Sequence, residues 1–69
     1  MSAPLAAPHA VLEAAILATR VHLLGVQEVL AEFDRLQVAV DKTGAAAEQR
    51  AMEFLRVYVT GVAEQAGQQ

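Results

Sequence analysis

Residues 26–40, Val26-Gln27-Glu28-Val29-Leu30-Ala31-Glu32-Phe33-Asp34-Arg35-Leu36-Gln37-Val38-Ala39-Val40, decide the fold class. Val26, Val29, Leu30, Phe33, Leu36 and Val40 recur at steps of three and four, which makes one side of a 3.6-residue helix apolar. Glu28, Glu32, Arg35 and Lys42 fall on the opposite side. The spacing predicts an amphipathic helix over 26–42. Asp41-Lys42-Thr43-Gly44 closes it: Lys42 sits where the helix dipole favours a cation, and Gly44 is expected to supply the positive φ of a C-terminal cap.

Beyond Gly44, a third run begins near Ala45 and predicts a helix to about Val62-Ala63. Ala47, Ala51, Phe54, Leu55, Tyr58 and Val62 share its expected core face, with Met52 and Val59 at the margin. Tyr58 is placed in the core with its hydroxyl at the edge. Gln49, Arg50, Glu53, Arg56 and Thr60 lie across from that face, and Arg50/Glu53 and Glu53/Arg56 are spaced to pair. Residues 65–69 read as a polar, frayed tail.

Toward the N-terminus, Gly25 is read as the left-handed stop of a first helix over about 8–24, with Pro8 in its first turn. Residues 1–7 form a loose lead-in. The first helix is apolar almost all round. His9, Glu13 and Arg20 fall within about 40° of one another on the wheel, while His22 and Thr19 lie on the other side among Val11, Leu12, Ala15 and Leu23. Such a helix is normally covered from several directions. Two partner helices within the chain cover about half of it, so Ile16, Leu17, Val21 and their neighbours point to a further companion.

Composition supports this reading. Hydrophobic residues are 55% of the 69 but aromatics only 4%, and two prolines and four glycines are too few for the turns of an all-β fold. Five Lys+Arg against eight Asp+Glu leave a net charge of −3, which argues against a nucleic-acid partner. With no cysteine, disulfides and thiolate metal sites are excluded. The most apolar window, 10–24, carries Glu13, Arg20 and His22 and is too short to span a bilayer, which needs about 20 residues. No basic leader opens the chain, so the expected location is cytoplasmic. Ordering about 50 residues costs on the order of 75 kcal/mol, and burying about 3,000 Å² of apolar surface returns about the same. A near-zero balance is another reason to expect association.

Candidate chemistry is sparse. His9 and Glu13 are four apart, but zinc wants three or four ligands; the plainer reading is a solvated His9 and a partly buried, hydrogen-bonded His22. Glu13 and Arg20 are seven apart, about 10 Å along the axis, too far to pair with each other. Each therefore meets another element, either as a structural ion pair (Asp34, Asp41 or Glu48 for Arg20) or as a contact to a partner or its ligand. Glu28, Glu32, Asp34 and Asp41 read as a wet surface, with no Glu-x-x-His pair for a di-iron site. Thr43-Gly44 is no phosphate loop. The only serine, Ser2, lies in the lead-in and makes a poor nucleophile. The chain is not expected to be catalytic on its own.

Two stretches, Val11-Leu12-Glu13-Ala14-Ala15-Ile16-Leu17-Ala18-Thr19-Arg20-Val21-His22-Leu23-Leu24 and Val40-Asp41-Lys42-Thr43-Gly44 followed by Glu48, Ala51 and Phe54-Leu55, resemble the C-terminal helical part of a family of FMN-binding flavoproteins. Those proteins carry a flavin-reductase-like split β-barrel and occur in methanogens and in bacteria with tetrahydromethanopterin genes. Glu13, Arg20, Lys42 and Thr43 fall on the motif positions, and with His22 they are the candidate partner or ligand contacts. No β-alternation is left for a barrel, so the resemblance implies no cofactor in this chain and FMN in a partner chain. The expectation is an all-α, three-helix module, a single domain over 8–64, serving as an accessory association unit of such a flavoprotein. Its partner is a second copy of itself or a flavin-binding barrel subunit. The alternatives are a free-standing homo-oligomeric adaptor or regulator, and a non-catalytic subunit of a one-carbon enzyme assembly.

Overall fold

A computed structural model describes the backbone of residues 6–67. Four helices follow one another: α1 Ala7–Thr19, α2 Val21–Leu24, α3 Val26–Thr43 and α4 Ala46–Gly67. No strand occurs among the described residues. The all-α expectation holds, with one change: the first helix is broken at Arg20. The cause is local. Thr19 Oγ1 donates to the Ile16 carbonyl at 2.7 Å, the oxygen that the Arg20 N–H would use in a continuous helix. That N–H turns to the Leu17 carbonyl instead, at 3.0 Å. A threonine hydroxyl that competes for the helix ladder in this way bends helices. α4 runs to Gly67, past the expected end near residue 63; the rest of the expected tail, 68–69, and residues 1–5 of the lead-in lie outside the described residues.

The two inter-helix glycines work by different means. Gly25 has φ +92°, so the backbone favours glycine there although no atom crowds the position. It ends α2 by donating to the Val21 carbonyl (2.8 Å) and starts α3 by accepting from Val29 (3.1 Å). Gly44 departs from expectation: its φ is −78°, not positive. A side chain there would strike the Val40 carbonyl oxygen and come within 2.9 Å of Val40 Cγ1. Close approach therefore demands glycine, and the Gly44 N–H caps α3 by donating to Val40 O at 2.7 Å. At the start of α4, Glu48 Oε1 accepts from the Ala45 N–H at 3.5 Å, half of a capping box that lacks the hydroxyl at the cap.

α1 packs against both α3 and α4, which pack on each other. Its buried residues are Ala7, Ala10, Ala14 and Ala18, continued by Val21. These steps of three and four form one stripe of small side chains, which lets the helix axes approach closely. The larger core side chains come from α3 (Val29, Phe33, Leu36 and Val40) and α4 (Met52 and Val59). The α3 face matches its sequence pattern. The α4 face is rotated from expectation: Met52 and Val59 stand at its centre, whereas Phe54 and Tyr58 point outward, 72% and 47% exposed. α4 has apolar residues on two sides, and the side bearing Met52 and Val59 joins the alanine stripe and Phe33 in one buried cluster. Arg56 consequently faces α3. Its guanidinium donates to Asp34 Oδ1 at 2.9 Å and lies 6.0 Å from the Phe33 ring centre.

Candidate association surfaces

Burying the alanine stripe turns the opposite side of α1 outward. Leu12 and Ile16 lie there, and Leu23 of α2 is 86% exposed. Leu12 and Ile16 are one turn apart and adjacent on the surface, and Leu23 follows two turns on, across the bend at Arg20. Of the residues expected to want a companion, Val21 is buried and Leu17 partly buried inside the chain, while Ile16 remains exposed. An apolar row opposite the core face is not needed for folding, and such surface marks an interaction site when it is contiguous.

The charged neighbours of that row divide into two kinds. Glu13 faces Arg35 of α3 at 3.9 Å, a loose and solvated pair; Arg35 engages Glu32 more closely, at 2.6 Å. The Glu32 hydrogen bond and charge, with a smaller contribution from Glu13, push the Arg35 guanidinium further up from its ordinary value. Glu13 thus has a charged neighbour within the chain. Arg20 has no ion-pair partner within 4.0 Å among the described residues. The carboxylates expected to pair with it are occupied: Asp34 by Arg56, Glu48 by the α4 cap, and Asp41 by two glutamines. An exposed guanidinium beside Ile16 and Leu23 is available to a carboxylate or phosphate on another molecule.

The other candidates separate in space. His9 is exposed at the start of α1, and His22 is exposed as well, contrary to the partly buried position expected for it. Among the described residues, no three His, Asp or Glu side chains gather to hold a metal ion. Lys42 and Thr43 lie in the last turn of α3, where the Thr43 hydroxyl donates to the Ala39 carbonyl at 3.1 Å. Beside them is the polar clamp between α3 and α4. Gln37 Nε2 donates to Asp41 Oδ1 (2.9 Å) and Gln49 Oε1 (3.1 Å), and Gln49 Nε2 donates to Asp41 Oδ1 (3.1 Å) and the Val40 carbonyl (3.3 Å). The two amide donors hold the Asp41 carboxyl below its ordinary range. The expected pairs Arg50/Glu53 and Glu53/Arg56 do not form; Arg56 turns to Asp34 instead.

A second apolar surface lies on α4, and the sequence reading missed it by assigning Phe54 and Tyr58 to the core and leaving Val57 on neither face. Phe54, Val57 and Tyr58 are exposed. A shallow hollow of about 330 Å³ is lined by Arg50, Glu53, Phe54 and Val57. Another of about 300 Å³ is lined by Arg56, Val57, Thr60, Gly61 and Glu64. The signal was present in the spacing: 50, 54, 57, 61 and 64 follow the alternating four and three of a helix seam.

The hollows are open grooves along one helix, and no buried polar side chain lacks a partner among the described residues. No described helix is long and apolar enough to cross a membrane. No curated protein and no solved structure matches the chain. A family model does: DUF447_C, described as "Protein of unknown function (DUF447)", matches residues 7–57.

Proposed function

Since the chain belongs to the DUF447 C-terminal family, we propose that it is a helical association module whose α1 face docks on an FMN-binding split-barrel flavoprotein. In this reading the flavin belongs to the barrel and these helices act by packing against it. One observation carries the reading: Leu12 and Ile16, on the side of α1 that the chain's own core does not use, and Leu23 of α2 are exposed apolar residues. Arg20, exposed beside them and free of an ion-pair partner among the described residues, supplies a directional charged contact at their edge. Apolar area gives such a surface its affinity, and a peripheral charge chiefly sets register and rate. The resemblance of residues 10–60 to the helical part of split-barrel flavoproteins supports the choice of partner.

The test mixes the purified chain with an FMN-loaded split-barrel domain from that flavoprotein family and follows co-elution by the visible absorbance of the flavin. The native chain should carry the yellow colour into a shared peak. Leu12→Asp or Ile16→Asp should remove it while leaving the helical circular dichroism intact, and Arg20→Ala should weaken it. Separate elution of the native chain and the barrel domain at high micromolar concentration would refute the proposal.

A further inference from the structure

The outer side of α4 is independent of the α1 row, and its residues follow a symmetry of their own. Arg50, Phe54, Val57, Gly61 and Glu64 run along one seam of the helix. Apolar residues occupy its middle, a cation lies at one end and an anion at the other. Arg50 and Glu64 are fourteen residues apart, about 21 Å along the axis, so they cannot pair with each other. Neither has an ion-pair partner among the described residues.

Gly61 adds a second observation. A helix-interior glycine costs about 1 kcal/mol relative to alanine, and nothing among the described residues requires it. No atom stands within 4 Å of the side chain it lacks, and its φ is not in the left-handed range. The missing side chain leaves a gap on the exposed seam, one turn from Val57.

We propose that this seam is the interface for a second copy of the chain, with the two α4 helices antiparallel across a two-fold axis near Val57. An isologous contact must be complementary to itself, and this seam meets that demand in one orientation. Running antiparallel, Arg50 of each copy reaches the partner's Glu64, so two ion pairs close the ends. Phe54 of each copy falls beside the partner's Gly61, where the absent side chain gives a large ring room. Val57 meets its own equivalent at the centre. A parallel pair would set Arg50 against Arg50 and Glu64 against Glu64, a like-charge arrangement that costs stability. The two hollows on either side of Val57 receive the partner's side chains in the manner of knobs entering holes. The proposal rests on the reading of the chain as an association module and names a second face of it, leaving the α1 row for the flavoprotein.

Sedimentation equilibrium of the full chain between about 1 and 200 µM tests this. The native chain should dimerise reversibly. Arg50→Glu alone and Glu64→Arg alone should each weaken the dimer by roughly tenfold or more, because each puts like charges together at both ends. The double swap, Arg50→Glu with Glu64→Arg, should restore it to within about threefold of native, as reversal of both partners preserves complementarity. Val57→Asp should leave a monomer. All three positions are on the surface, and circular dichroism should show each of the four variants as helical as the native chain. A native chain that sediments only as a monomer would overturn the proposal. So would single reversals that leave the dimer unchanged, or a swap that fails to rescue. Co-elution with the flavin barrel is scored separately: a monomer that still binds the barrel leaves the function standing and removes this interface. A dimer that never binds the barrel does the reverse.

Discussion

Arg56 of α4 donates to Asp34 of α3 at 2.9 Å while its guanidinium lies over the Phe33 ring, 6.0 Å from the centre. One side chain thus joins a solvated ion pair to the edge of the core. The Asp34 side chain is 75% exposed, so solvent screens the pair and the coupling is expected to stay below about 1 kcal/mol. The stem of Arg56 covers apolar surface that Asp34 does not touch. Arg56→Ala should therefore cost more stability than Asp34→Ala, by about 0.5–1 kcal/mol. A double-mutant cycle in urea measures both quantities. Equal losses would assign the whole effect to the ion pair.

The same residue shows what the sequence conveyed and what it did not. On α3 the apolar stripe has charged residues behind it, so Val29, Phe33, Leu36 and Val40 had one possible inward side. On α4, Met52, Leu55 and Val59 compete with Phe54, Val57 and Tyr58 on the other side, and periodicity alone does not choose between them. The choice is made by the shapes that α1 and α3 present, a tertiary effect that overrides local pattern. The candidate sites divide likewise. That the first helix carries more apolar surface than the chain covers was legible from its composition. That its alanines would face inward and Leu12 and Ile16 outward was not, because burial of large residues is the usual expectation. The break at Arg20 depends on one hydroxyl rotamer that no spacing rule reports.

The Asp41 clamp makes stability depend on pH in the acid range. Hydrogen bonds from Gln37 and then Gln49 lower the Asp41 pKa in the folded state. A carboxyl with a folded pKa below its unfolded value contributes stability that is complete above the unfolded pKa and is lost as pH falls through the folded one. Urea midpoints should therefore drop as pH falls through the ordinary aspartate range and continue to drop below it. Asp41→Asn removes the titrating group and should make that acid-side fall shallower than in the native chain. Parallel curves for the two proteins would show that the clamp does not sense pH.

The two sides of α1 should respond in opposite ways to substitution. Ala14 is fully buried in the alanine stripe, so Ala14→Leu forces three extra carbons between close helices and should cost about 1–3 kcal/mol. Leu12, on the outer side, makes no such contribution. Leu12→Gln should change the folding free energy by no more than about 0.5 kcal/mol while reducing capture of the flavin barrel. Thermal melts at a concentration where the chain is monomeric measure the first effect, and the co-elution assay measures the second. A large loss of stability from Leu12→Gln would mean that the outer row supports the fold rather than a partner.

The bend at Arg20 is attributed to the Thr19 hydroxyl, and that attribution is open to a direct test. Thr19→Val keeps the β-branched shape and removes the donor, which frees the Ile16 carbonyl to accept from the Arg20 N–H. A hydrogen bond worth about 1 kcal/mol net corresponds to roughly fivefold slower amide exchange. The Arg20 amide should therefore become better protected in Thr19→Val by about that factor. Leu23 sits beyond the bend, so a straightened helix would also turn it relative to Leu12 and Ile16 and alter the geometry of the outer row. Unchanged protection at Arg20 would assign the break to Gly25 and to the burial of Val21, which hold α2 in place from its other end.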